Sequence, residues 1–308
     1  MHVLLKIGKY TLIYTAIIFI LILIILFPRD AQMVQENGVM EYHYQFSWET
    51  YYKNVSSYFT NMIENKSLGG TRHHFTVEEI LAIFLPRSLK VIVTAFIISL
   101  FFGILKGILD FRHSQKKSNI IGNGTTFLFQ AIPDFFLIII ILLLVISYFP
   151  FIPIFAQGVW YEFLIPALLV SILPLMYVAR ITSSAIASQE GLQYIVVAKA
   201  KGLSNKIVLY KHVLKNCYST IFSHCSSLTI YIISNLLMVE YLLSYQGAAF
   251  RLFQAIDYRN SVSVGRRSNF EPELIIAIAV SFMLIIMISQ IISEVANDSL
   301  DPRRREKR

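Results

Sequence analysis

The residues able to do chemistry are few and scattered. His73 and His74 adjoin each other, Cys217 and Cys225 lie eight residues apart, and Asp134, Glu240, Glu294 and Lys106 fall inside or near the ends of strongly apolar runs. Adjacent histidines on an extended segment point apart and no third ligand stands near, so a metal site is not expected there. Neither cysteine belongs to a pattern with zinc spacing, and both read as small packing residues. The three carboxylates read as interfacial or capping charges, and Lys106 is long enough to carry its ammonium out to water. H-E-x-x-H, G-x-S-x-G, paired aspartates within an apolar run and a G-x-x-x-x-G-K-[ST] phosphate loop are all missing. No catalytic residue, metal or cofactor is therefore expected in this chain. What remains is a concentration of cations: "VAKAKGLSNKIVLYKH", residues 197–212, carries four lysines around one glycine.

Most of the elements that hold these residues are apolar. The chain has 308 residues, of which 56% are hydrophobic and 15% charged, with a mean hydropathy of +0.60. Apolar runs of about 20 residues, the length a helix needs to cross roughly 30 Å of hydrocarbon, recur along it. Six read as membrane spans, at about 10–27, 86–109, 127–149, 163–181, 221–243 and 274–292. In lipid each must be helical, since an open strand leaves backbone groups unpaired. The predicted fold is an all-α membrane protein, one transmembrane domain over residues 1–308. The first run lacks a small-x-small site before Phe27-Pro28-Arg29 and reads as an uncleaved anchor.

The net charge of +8 does not point to nucleic acid, because the cations fall between and beyond the apolar runs. They sort by side of the membrane instead. Lys6 and Lys9 precede the first span, Arg112, Lys116 and Lys117 follow the second, and Lys199, Lys201, Lys206, Lys211 and Lys215 follow the fourth. Arg303, Arg304, Arg305, Lys307 and Arg308 end the chain. The opposing loop at about 30–85 holds three basic residues against seven acidic ones. The other opposing loop, about 244–272, has Arg251, Arg259, Arg266 and Arg267, but long loops cross largely regardless of charge. Both termini and the basic loop at about 188–216 are expected in the cytoplasm. The first external loop crowds Tyr42, Tyr44, Phe46, Trp48, Tyr51, Tyr52, Tyr58 and Phe59 together, as an interfacial belt or a small external cap.

Within the basic loop the spacing predicts a helix from Glu190 through Lys201, ended by Gly202 in the left-handed conformation. Ser204 is a good N-cap for a second helix from Asn205 to about Asn216. On it Ile207, Tyr210 and Leu214 are expected to share one face, and Lys211 and Lys215 another. A helix-turn-helix of this kind can dock into a partner's groove through apolar anchors and charge steering.

"AKAKGLSNKIVLYKHVLKN" resembles the cytoplasmic EAA loop of ABC importer permeases, in the oligopeptide/dipeptide/nickel branch. That pattern is A-x-A-K-G-L-S, a variable stretch, then H-x-L-[RK]-N. Ala198, Ala200, Lys201, Gly202, Leu203, Ser204, His212, Leu214 and Asn216 fill its places. The likeness runs along most of the chain, through "LGGTRHHFTVEEI", "LPRSLKVIVTAF", "AIPDFFLIIIILL", "LIPALLVSILPLMYVARITSSAI", "VEYLLSYQGAAFRLFQAI" and "DSLDPRRR". There are departures. Thr220 stands where the family has a proline after Asn216, Gln246 to Ala249 replace P-G-L-G, and the segment from Asp257 to Glu271 is unlike the usual short connection.

The resemblance implies a permease subunit of an ATP-driven importer of short peptides or a related small solute such as a metal chelate, in a bacterial inner membrane. Its implied partners are a second homologous permease, two ABC ATPases that hold the ATP and Mg, and an extracytoplasmic solute-binding protein. The implied ATPase-coupling residues are Tyr194, Ala198, Lys199, Ala200, Lys201, Gly202, Leu203, Ser204, Lys206, Lys211, His212 and Asn216. The alternative is a non-transporting scaffold or signalling subunit that keeps the ATPase-binding loop. An intramembrane enzyme lacks catalytic residues to support it.

Overall fold

The computed structural model describes residues 2–28, 31–36, 39–71, 74–114, 122, 124–256 and 270–300. Lys116, Lys117, Arg72, His73, Arg259, Arg266, Arg267 and the basic tail at 301–308, all named above, lie outside the described residues, as does most of the divergent 257–271 segment.

Among the described residues five helices are long and apolar enough to cross a bilayer: α1 (His2–Ile25), α3 (Val77–Ser114), α6 (Leu164–Ala187), α10 (Cys225–Leu242) and α12 (Pro272–Leu300). The span expected at 127–149 is instead two helices, α4 (Thr125–Ala131) and α5 (Asp134–Tyr148), bent by 106° at Ile132 and Pro133. The total of six holds when this bent pair counts as one span. The fold is otherwise nearly all helical, with one exception that the all-α expectation missed. Residues Ala31–Glu36 (β1) and Val39–Tyr44 (β2) pair as an antiparallel hairpin, Ala31 opposite Tyr44.

Helix α3 begins earlier than expected. Pro86, taken as the start of a span, lies inside α3, which begins nine residues before it. The reason is a reciprocal cap: Thr76 N donates to the Glu79 carboxylate at 2.8 Å and Glu79 N to Thr76 Oγ1 at 3.3 Å, nucleating the helix upstream of the proline. At about 1.5 Å per residue, α3 is longer than the hydrocarbon is thick.

Packing centres on α3 and α6, which run against each other over much of their length. Gly103 and Gly107, a G-x-x-x-G pair, make the approach possible. A Cβ on Gly103 would lie 2.6 Å from the Val178 Cβ, and one on Gly107 would lie 2.5 Å from both the Ala179 carbonyl and the Thr182 Cβ. α10 then fills in against α6, α3 and α12, burying Leu228, Ile232 and Leu236. α1 lies along α12, and an ion pair between Lys6 and Glu294 puts the beginning of α1 beside the end of α12. The start of α1 and the last turns of α12 therefore lie together at one end of the bundle.

At the opposite end α2 (Trp48–Glu64), capped by Ser47, leans on the end of α1. Tyr51 donates to the Leu23 carbonyl at 3.0 Å, Phe46 stacks on Phe27 at 5.2 Å, and Tyr58 is buried with Ile22, Leu26 and Ile276. From Phe46 to Phe59 the aromatic-rich segment thus packs as a small cap; Trp48 and Tyr52 remain exposed.

Candidate functional site

The basic loop leaves the bundle after α6 and returns through α10, at the end where Lys6 and Glu294 meet. Its first helix, α7 (Gln193–Ala200), starts later than the expected Glu190, because Gly191 has φ +81° and Leu192 is extended. It stops where expected. Gly202 takes φ +77°, its N–H donates to the Lys199 carbonyl at 2.9 Å, and the Leu203 N–H donates to the Ala198 carbonyl at 3.3 Å. These paired bonds are a Schellman cap, with Leu203 packing back on the same apolar cluster as Ala198. Ser204 then caps the next helix, its Oγ accepting from Ile207 N at 3.4 Å.

That second helix differs from expectation. It begins at Asn205 as a single turn, α8 (Asn205–Ile207), widens to a π-helical segment at Val208–Val213, and resumes as α9 (Leu214–Ser223), past Asn216. The extra residue per turn changes the buried face. Val208 and Val213, five apart, are buried with Leu214, Cys217 and Ile221, whereas Ile207 and Tyr210 are 45% and 51% exposed. Ile207, Tyr210 and Leu214 do not share a face. Lys211 and Lys215 are both exposed.

The twelve residues singled out from the sequence divide accordingly. Lys199, Ala200, Lys201, Gly202, Ser204, Lys206, Lys211 and Asn216 are exposed, Tyr194, Leu203 and His212 are half-buried, and Ala198 is buried. Ala198, Tyr194 and Leu203 pack on Ile108 of α3 and Ala185 and Ile186 of α6, so they hold the loop to the bundle. Tyr194 also donates to Gln189 Oε1 at 3.0 Å. Sequence reasoning passed over the outward apolar residues Val196 (60% exposed) and Val197 (53%), which join the exposed Ile207 and Tyr210. Interleaved with the lysines, they give the loop an amphipathic outer surface. Beside it, a 380 Å³ cavity opens between the loop and the last turn of α3, lined by Phe111, Arg112, Lys199, Lys206, Leu209 and Tyr210 among others.

The charges inside the bundle are engaged. Glu240 is fully buried and accepts from Ser88 Oγ at 2.5 Å, Ala249 N at 2.9 Å and Phe250 N at 3.1 Å. It caps the short helix α11 (Ala248–Ala255) from a distance in sequence, a capping charge as expected but buried rather than interfacial. Lys106, partly exposed, is also held by protein groups. It pairs with Asp110 and donates to the Gly122 carbonyl at 3.3 Å and to Thr126 Oγ1 at 3.2 Å. Cys217 and Cys225 are buried free thiols. No group of three or more His, Cys, Asp or Glu suited to a metal occurs among the described residues.

An amphipathic loop between two spanning helices, held by a cap at A-K-G-L-S, is the geometry that comparison with known proteins has to meet. The profile of the binding-protein-dependent transport system inner membrane component matches residues 99–306, more than half of the chain and all of this loop. The chain belongs to that family. Among relatives of this transport family, the dipeptide transport system permease protein DppB of Lactococcus lactis is 23% identical over 261 residues, covering 84% of this chain and 80% of that protein. DppB of Bacillus subtilis is 23% identical over 221 residues, 71% and 67% of the two chains. The oligopeptide transport system permease protein AppB of the same species is 21% identical over 292 residues, 90% and 86%. The protein is thus a multi-pass transport permease of the binding-protein-dependent family.

Proposed function

We propose that the protein forms part of the transmembrane passage for short peptides in an ATP-driven importer and couples to a separate ATPase through the loop from Tyr194 to Asn216. The observation that carries this reading is the outer surface of that loop. Lys199, Lys201, Lys206 and Lys211 alternate there with exposed Val196, Val197, Ile207 and Tyr210, while the inner residues lock the loop to α3 and α6. Apolar side chains held out at the end of a bundle favour a protein partner, and the lysines steer an acidic one. The names of the relatives, which are dipeptide and oligopeptide permeases, favour peptide as the solute.

In this reading the loop end faces the cytoplasm and the β1–β2, α2 and α11 end faces outward, toward a solute-binding protein. ATP and Mg are held by two ATPase subunits, a second permease completes the passage, and the membrane is the bacterial inner membrane. Because the loop packs directly on Ile108 of α3 and on Ile186 of α6, a push on it is delivered to the central helix pair. Such coupling requires the ATPase to bind the inward-open and outward-open states differently.

The test is reconstitution of the permease with its companion permease and ATPases in vesicles, with ATP inside and a labelled dipeptide and binding protein outside. ATP-dependent accumulation of the dipeptide is expected. ATPase association without solute flux would instead identify a scaffold.

A further inference from the structure

The 380 Å³ cavity between the basic loop and the last turn of α3 has the size of a small-ligand site, for which about 300–1,000 Å³ is usual. Its floor is apolar. Ile186 of α6 and Val208 and Val213 of the π-helical segment line it, and all three are buried. Around them stand three cations from three separate elements, Arg112 of α3, Lys199 of α7 and Lys206 of α8, all exposed. Glu190 is the one carboxylate among the lining residues. Among the described residues no ion pair takes up any of the three cations. The cavity thus sets a net positive charge over an apolar base.

The helices that bound the cavity fix its level in the membrane. α6 has 24 residues, and Ile186 lies one residue before its end. At about 1.5 Å per residue such a helix crosses the hydrocarbon and ends in the headgroup layer. Arg112 lies two residues before the end of α3. Retention of cations on one side of the membrane explains which side these three occupy, but not their convergence from three elements on one cavity. The outward apolar residues Val196, Val197 and Ile207 do not line it, so it lies beside the surface assigned to the ATPase.

We propose that this cavity binds the headgroup of an anionic phospholipid from the leaflet at the loop end. The phosphate sits among Arg112, Lys199 and Lys206, where the guanidinium offers paired donors and the ammonium groups act as point charges. The glycerol and first methylenes lie on Ile186, Val208 and Val213. Basic pockets between spanning helices are suited to such headgroups. A free phosphate or an acidic side chain leaves the apolar floor uncovered, which favours an amphiphile. A bound headgroup ties Arg112 of α3 to two lysines of the loop, so the lipid composition of the membrane adjusts how firmly the loop is held to the central helix pair. The site depends on a spanning bundle whose loop end meets lipid headgroups, and not on which solute the permease moves.

In the test, the full-length permease with its companion is placed in nanodiscs of phosphatidylcholine, with or without phosphatidylglycerol, and hydrogen exchange is read at residues 108–114 and 195–210. Phosphatidylglycerol is expected to slow exchange in both segments about fivefold, and Arg112→Gln to remove most of that slowing while matching the wild type in phosphatidylcholine alone. Lys9→Gln removes an exposed cation at the same end of the bundle that does not line the cavity, and should keep the slowing. No slowing by phosphatidylglycerol, slowing undiminished in Arg112→Gln, or an equal loss in Lys9→Gln overturns the site. Inorganic phosphate that slows exchange as well in phosphatidylcholine alone overturns the lipid as occupant, and so does protection that appears only when ATPase subunits are added. Should Arg112→Gln fail to assemble, phosphatidylglycerol with a diazirine at the glycerol end of one acyl chain is photolysed with the wild type. Labelling at Phe111, Leu209 or Tyr210 supports the site, and labelling confined to other parts of the permease pair overturns it.

Discussion

The Leu203 N–H closes onto the Ala198 carbonyl at 3.3 Å, across a Gly202 held at φ +77°. A Cβ added at Gly202 would meet nothing within 4 Å, so the cost of a side chain there is the backbone conformation alone. Gly202→Ala is expected to weaken the cap by about 1 kcal/mol. Hydrogen exchange read at residues 198–208 should quicken about fivefold, with the rest of the bundle unchanged.

Gly107 is a different kind of glycine. Its constraint is the Ala179 carbonyl and the Thr182 side chain across the α3–α6 contact. Gly107→Leu is expected to force the two helices apart and to lower the thermal midpoint of the purified permease by several degrees or prevent its accumulation in membranes. Overpacking of a tight contact typically costs about 1–3 kcal/mol. The same leucine placed at exposed Leu105's neighbour on the outer face, as in Phe101→Leu, should leave the midpoint nearly unchanged, since Phe101 is exposed.

Glu240 and Ser88 form a shared cap. Ser88 Oγ donates to the carboxylate and accepts from Ala248 N at 2.8 Å, while the carboxylate takes Ala249 N and Phe250 N. Ser88→Ala and Glu240→Gln should each destabilise the permease by about 1–2 kcal/mol. The double variant should lose less than the sum, because both act on one end of α11. Thermal or denaturant unfolding of the three variants checks this.

Cys217 is 1% exposed, and burial pushes its thiol up to about 11. A thiol raised in the folded state keeps its proton there while the unfolded chain loses it. Its contribution is therefore fully present below about pH 9 and is lost as pH rises toward 11. Iodoacetamide at pH 8 should leave Cys217 unmodified in the folded permease and alkylate it after denaturation, as read by mass spectrometry.

Much of this molecule was legible before its structure. The apolar runs located the spans because lipid allows little but helices. Gly202 and Ser204 marked the turn in the loop because their roles are local: a positive φ and a side-chain cap within a few residues. The start of α3 is equally local, written in Thr76 and Glu79, and the proline at 86 is accommodated within the helix they begin. The face of the helix after Asn205 was not legible, since a π-helical segment shifts the register by a residue and tertiary packing on Ile108 and Ile186 decides where that occurs.

The central claim is that the Tyr194 to Asn216 loop grips an ATPase and drives transport. It is tested most directly by Gly202→Asp, which places a charge of opposite sign among Lys199, Lys201 and Lys206 at the turn between the two helices. Association with the ATPase by co-purification and ATP-driven dipeptide uptake are measured on the same preparation. Both are expected to fall at least tenfold while the permease still inserts and pairs with its companion. Association and uptake that both match the wild type would contradict the coupling role of this loop.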